Sequence, residues 1–226
     1  MFQHDLIELP KLIRHDGESR YYETPDGKKY PSVTTVLSAM KDKSGLFAWR
    51  ARVGEEEANR VSTRASTRGT AVHKLCETYV LNEESFETDV VAAMPINRAM
   101  FRQLQKVLDA NVTNIRISEG SMFSHKLRIA GSVDLVALWN GRLAIIDFKT
   151  SGSPKDERWI EDYFLQCALY CYMLWEMTGL VAQQMVVAIA VEDSDTPQVF
   201  VRNVSDYIQK AKNTCRAYHD KFGEVL

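Results

Sequence analysis

Apolar positions along this chain recur with two different periods, and the changes of period lay out its elements. From about Asn114 to Thr150 apolar residues alternate or run together in short β-rich stretches, predicting strands at about 114–122, 129–139 and 142–150. Before and after that region the spacing is three and four. Ser32, a residue type suited to an N-cap, precedes Val33, Val36 and Leu37; a second helix is expected over about 45–60 and a third from Thr70 through His73, Leu75, Glu77 and Val80. Residues 85–110 read as helical with an interruption at Pro95, about 159–177 as a long amphipathic helix, and a closing helix capped by Ser205 ends near Gly223. Strands at 184–191 and 198–204 complete the pattern, and Pro25-Asp26-Gly27 predicts a turn in a small N-terminal hairpin. The order is α/β: a mixed central β-sheet flanked by helices, with N-terminal helical additions. Residues 1–66 are expected to form those additions and 67–226 the core.

Asn140-Gly141 between two apolar runs is the signature of a two-residue type I′ turn. That turn sets Trp139 against Arg142, and the same register carries Asp134 opposite Asp147 and Lys149 opposite Ser132. Asp134 shares its face with Val136, Leu138, Leu143 and Ile145, while Val133, Leu135, Ile146 and Phe148 point the other way. Both faces are apolar, as in strands covered on both sides. Like charges across a ladder repel. Desolvated carboxylates need a counter-charge, and hard oxygen ligands beside an ammonium suit Mg²⁺ or Mn²⁺. A salt-bridged cluster at a strand end is the other reading of the same residues.

Composition narrows the setting. The chain has 226 residues, 45% of them hydrophobic and 26% charged, with a net charge of −2, which suits a globular protein and argues against a uniformly basic coat. No apolar run approaches membrane-spanning length and no leader pattern opens the chain, so neither membrane association nor secretion is expected. Cys76, Cys167, Cys171 and Cys215 are scattered, as buried free thiols are. Against the overall charge, the stretch from Lys41 to Lys74 is net +4, and Arg60, Arg64 and Arg68 recur every four residues, one helical face. Such a row either contacts phosphates or forms a solvated face. His73 and Glu77 also share a helical face, placed just past Arg68-Gly69, where a helix N-terminus would favour an anion. Gln166 and Tyr170 are a further i,i+4 pair.

Taken together, Gly131-x-x-Asp134 and Ile146-Asp147-Phe148-Lys149-Thr150 resemble the second and third motifs of the PD-(D/E)XK nucleases. Arg68-Gly69-Thr70-x-x-His73-x-x-x-Glu77 resembles the helical motif of the RecB-like branch, and Gln166-x-x-x-Tyr170 its Gln-Tyr motif. Tyr30-Pro31-Ser32-Val33-Thr34-Thr35-Val36-Leu37 is similar to a segment of phage exonucleases and of the mitochondrial genome maintenance exonuclease. The resemblance implies a restriction-endonuclease-like core and a metal-dependent DNA exonuclease acting on single-stranded DNA or DNA ends in phage-type replication or recombination, with proteins of those processes as partners. It implies a cytoplasmic protein, in the host cytoplasm if phage-encoded. It assigns Mg²⁺ or Mn²⁺ to His73, Asp134, Asp147 and the Phe148 carbonyl, with Glu77 as a further ligand directly or through water. Lys149 would orient the attacking water and stabilise developing charge, and Gln166 and Tyr170 would position Lys149 or contact DNA. Ser32, Thr34, Thr35, Arg60, Arg64 and Arg68 are the expected DNA-binding residues. With Cys215 alone near the C-terminus, no iron–sulfur cluster is expected. A structure-specific endonuclease or an inactive DNA-binding module on the same core are the competing readings.

Overall fold

Three short strands, β1 (Ile13–His15), β2 (Tyr21–Glu23) and β3 (Lys29–Pro31), form an antiparallel sheet at the N-terminus of the computed structural model, which describes residues 1–223. The expected hairpin thus gains a third strand. Ser32 then caps α1 (Val33–Met40), accepting the Thr35 backbone N–H at 2.9 Å. Helix α2 (Ser44–Val53) buries no residue. It stops at Gly54, whose φ of 87° is outside the helical range, and α3 (Glu55–Val80) follows.

The 26 residues of α3 run without a break. Gly69 is therefore interior, and the expected helix N-terminus at Arg68-Gly69 does not exist. A helix tolerates one glycine at a cost of about 1 kcal/mol, which the apolar stripe of Val72, Leu75, Cys76 and Val80 readily offsets by burial. The boundary drawn between residues 66 and 67 falls inside this helix. Helices α4 (Phe86–Ala92) and α5 (Pro95–Asn111) follow, with Pro95 opening α5 where its missing N–H costs no hydrogen bond.

The central sheet comprises β4 (Val112–Ser124), β5 (Ile129–Trp139), β6 (Arg142–Ser151), β7 (Gln184–Val191) and β8 (Gln198–Asn203), in that spatial order. Only β6 and β7 are parallel, joined by the crossover helix α6 (Glu161–Thr178); the sheet is mixed, as expected. Helix α7 (Ile208–Phe222) closes the described chain. Ser205 does not cap it: its hydroxyl bonds Asp206, and a 3-10 turn over Val204–Asp206 intervenes.

Both faces of the sheet are covered. Val136, Ile145, Met185, Val187 and Ile189 pack beneath α6, α1 and α7, and Leu135, Ile146, Phe148, Val186 and Ala188 pack against α3 and α5. All eight residues of β7 are buried. Each fully buried aliphatic side chain contributes roughly 1.5–3 kcal/mol, so the central strands hold their positions firmly. Val133 departs from the period-2 expectation and belongs with Val136 and Ile145. The departure begins where β5 leaves β6.

Candidate active site

The turn that sets the site is the expected one. Asn140 and Gly141 have φ of 49° and 76°, the two left-handed residues of a type I′ turn. The ladder runs from Trp139↔Arg142 to Leu135↔Ile146 in the expected register. There it opens. One step further, the Phe148 backbone N–H donates to Asp134 Oδ2 at 2.7 Å, so a side-chain carboxylate takes a donor that a continuing ladder would have used. Ser132 does not pair with Lys149; it pairs with Ser121 on β4, while Lys149 lies beside Ile189 of β7. Asp134 and Asp147 thus meet at a fork between strands rather than across a closed ladder.

Several neighbours of this fork answer the carboxylates. Lys149 forms an ion pair with Asp147 Oδ2, its ammonium lying 5.1 Å from the centre of the Tyr163 ring. From α3, His73 Nδ1 lies 3.4 Å from Asp134 Oδ1. From α6, Gln166 Nε2 donates to Asp147 Oδ1 at 3.1 Å and reaches Tyr170 Oη at 3.5 Å. In the structure Gln166 of this pair contacts Asp147. Tyr170 packs over Gly131: a Cβ there would lie 2.9 Å from Tyr170 Cε1, so glycine is required by the ring.

Glu119 was not legible as a site residue. The β4–β5 register on either side, Ser118↔Leu135 and Gly120↔Val133, places it across from Asp134, and its φ of 49° kinks β4 there. Single ligand atoms of His73, Glu119 and Asp134 lie within 4.8 Å of one another. The sequence signal was the register of a second hairpin, whose turn at residues 125–128 lacks an Asn-Gly marker. Asp134 consequently stands between an acid on each neighbouring strand.

Electrostatics follow from this crowding. Burial, then repulsion from Asp134, raises Glu119 to about 7. Burial raises Asp147 to about 6, with Lys149 opposing and Asp134 adding to the shift. Burial opposes charging of His73, but the Asp134 carboxylate outweighs it and holds the imidazole near 9. Asp134, although buried, is held below the ordinary carboxylate range by His73, Lys149 and the Phe148 N–H. Lys149 is pushed upward against its burial by Asp147 and Asp134. Hard carboxylate oxygens with one imidazole nitrogen form a donor set that Mg²⁺ or Mn²⁺ accepts, so the residues present fit such an ion.

The site opens into a cleft of about 480 Å³ whose lining includes Ser32, Thr34, Thr70, His73, Glu77, Glu119, Asp134, Lys149, Gln166 and Tyr170. Arg14, Arg20 and Tyr22 of the N-terminal sheet also line it, and no sequence pattern marked them. Glu77 accepts from Lys74 at 3.0 Å. Thr35 points away, donating to the Arg20 carbonyl at 3.0 Å. The arginine row is divided: Arg60 pairs with Glu57, while Arg64 and Arg68 converge on Glu192, just after β7. Arg68 is buried there and reaches Thr150 Oγ1 at 3.4 Å. No helix among the described residues is long and apolar enough to cross a membrane.

The human mitochondrial genome maintenance exonuclease 1 is 28% identical over 133 residues, which cover 55% of this chain and 38% of that protein. The chain thus spans well under half the length of this relative. A phage-related exonuclease from Haemophilus somnus 129PT aligns in structure over 62% of this chain and 82% of its own, at 13% identity and a TM-score of 0.33. A profile of the PD-(D/E)XK nuclease superfamily matches residues 46–225. The chain belongs to the PD-(D/E)XK nuclease superfamily.

Proposed function

We propose that this nuclease hydrolyses phosphodiester bonds in DNA with Mg²⁺ or Mn²⁺, working from single-stranded DNA or DNA ends in phage-type replication or recombination. The observation that carries the reading is the fork itself: Asp134 between Glu119 and Asp147, with His73 and Lys149 beside it, at the floor of an open cleft. The similarity to a relative named as an exonuclease supports action at ends.

Asp134, Asp147, His73 and Glu119 would hold the ion, with the Phe148 carbonyl as a further ligand. When bound, a divalent ion supplies Lewis acidity at a phosphoryl oxygen and an acidified water. Lys149, held protonated by Asp147 and Asp134 in the metal-free site, would serve as a cation facing the charge that develops on phosphorus. Gln166 holds Asp147 Oδ1 in a fixed position through its amide N–H. Arg14 and Arg20 at the cleft wall, with the Ser32 and Thr34 hydroxyls, contact the strand's phosphates.

End-labelled linear single strands beside closed single-stranded circles, incubated with and without Mg²⁺ or Mn²⁺, test the reading. Linear DNA should be degraded, circles spared, and EDTA should stop the reaction. Asp134→Ala and Lys149→Ala should each lower turnover by about 10³-fold or more, the scale of a lost charge-stabilising group, with strand binding retained. Cut circles replace the exonuclease with an endonuclease, and full turnover in EDTA or in either variant removes the assignment.

A further inference from the structure

A second cavity, of about 680 Å³, lies between the N-terminal sheet, the β4–β5 turn and α7, and its lining includes Arg20, Lys28, Lys29 and Arg128 with Tyr21 and Tyr30. Among the described residues, no carboxylate lines it. Arg20 lines both this cavity and the catalytic cleft, so the two adjoin at that side chain. Building on the nuclease reading above, we infer that this cavity holds the backbone of a single polynucleotide strand, seating the nucleotides next to those in the cleft.

Charge is the first argument. Four permanently cationic side chains gather at one recess of a chain that is net negative overall. The acids beside Lys28 and Arg20 are weak competitors: Asp26 lies 3.3 Å from Lys28 Nζ and Asp16 lies 2.9 Å from Arg20 Nε, and both acids are exposed. Exposed pairs of this kind are screened by solvent and weak, so a polyanion presenting several phosphates displaces them.

Shape is the second. The walls are already fixed: Tyr30 is buried, its hydroxyl 2.8 Å from His125 Nδ1, and the Tyr21 ring is stacked on His15 at 4.5 Å. Rings beside cations in a recess suit the sugars and bases of one unpaired strand, whose backbone follows a positive groove. The N-terminal sheet thereby acquires a role: it joins the catalytic cleft to this recess through Arg20.

Lys28 and Lys29 are exposed and lie outside the catalytic cleft, so their charge can be reversed without touching the fork. Binding is read by fluorescence anisotropy with labelled oligothymidylates of six and twenty nucleotides, in a Lys149→Ala background that leaves the strand uncut. Lys28→Glu with Lys29→Glu should weaken the long strand by about tenfold and leave the short one within twofold. The salt slope for the long strand should fall by about 1.4, two phosphates at about 0.7 each. Thermal melting confirms that the variant is folded. In the unsubstituted protein, a twenty-nucleotide strand carrying 5-iodouracil should cross-link to Tyr21 or His125.

Equal weakening of both lengths, no weakening, or cross-links confined to the cleft overturns the inference, as does a duplex that competes as well as the single strand. A protein that degrades DNA while its cavity stays silent keeps the proposed function and loses this one. A strand cross-linked in the cavity of a protein that never cuts does the reverse.

Discussion

Gly131 and Tyr170 show how single residues aim the site. The Tyr170 ring occupies the space a Cβ at Gly131 would need, with its Oη only 3.0 Å from that position. One helical turn away, Gln166 holds Asp147 Oδ1. Gly131→Ala must push the ring along α6, and the push reaches Gln166. Overpacking of this kind costs about 1–3 kcal/mol, and loss of the Gln166 bond frees the Asp147 carboxylate. Urea denaturation should show the loss of stability, and turnover should fall by about tenfold or more. In a Tyr170→Ala background, where the space is open, adding Gly131→Ala should cost little further stability. A single variant as stable and active as the parent would show that this contact does not set the geometry. Asp134 and Asp147 could be placed side by side from the sequence because the turn carries the register to Leu135↔Ile146, one step short of them; the expected Lys149–Ser132 pairing fails because the ladder opens there. Glu119 was not legible, because its placement depends on a kinked strand paired through a turn with no local marker.

At the scale of elements, the β5–β6 hairpin was readable because two independent signals agree: the left-handed turn and the apolar faces on both sides of the strands. Their agreement makes the turn residue dispensable for register though not for stability. Gly141→Ala places a Cβ on a backbone at φ 76°, a left-handed conformation costing roughly 1–2 kcal/mol for a residue with a side chain. The melting temperature should drop accordingly. Turnover at a temperature where the variant stays folded should be retained, since a slipped register would take Leu135 and Ile146 out of their packing against α3 and α5. Turnover lost in a folded variant would mean the turn alone sets the fork. Helix α3 was misread for the opposite reason. Local chemistry at Gly69 suggests a break, but packing across Val72, Leu75 and Cys76 decides the matter, and propensity yields to burial. The arginine row kept its spacing, yet Glu192, far away in sequence, pairs with two of its members and buries one of them, Arg68, and no spacing rule reveals that partner.

For the molecule as a whole, the crowded carboxylates make the metal-free fold sensitive to pH, and the sign is determined. Asp147 at about 6 and Glu119 at about 7 both lie above their ordinary values of 3.8 and 4.5. Stability from these groups is complete below the ordinary values and is lost as pH rises through 6 and 7. His73, near 9 against an ordinary 6.5, adds stability that is complete below 6.5 and lost as pH rises through 9. Asp134, shifted downward, acts in the other direction only below 3.8, outside this window. Between about pH 4.5 and 9 the three raised groups therefore act in the same direction one after another, and the melting temperature in EDTA should fall as pH rises. Binding of Mn²⁺ draws on the same deprotonated ligands, so the increment it adds to the melting temperature should grow with pH. Glu119→Gln removes one titrating group: the metal-free curve should flatten between about 4.5 and 7, and the Mn²⁺ increment at pH 8 should shrink. A melting temperature that climbs with pH across this window, or a Mn²⁺ increment equal at pH 5 and pH 8, would mean that the fork is held by internal ion pairs and needs no cation.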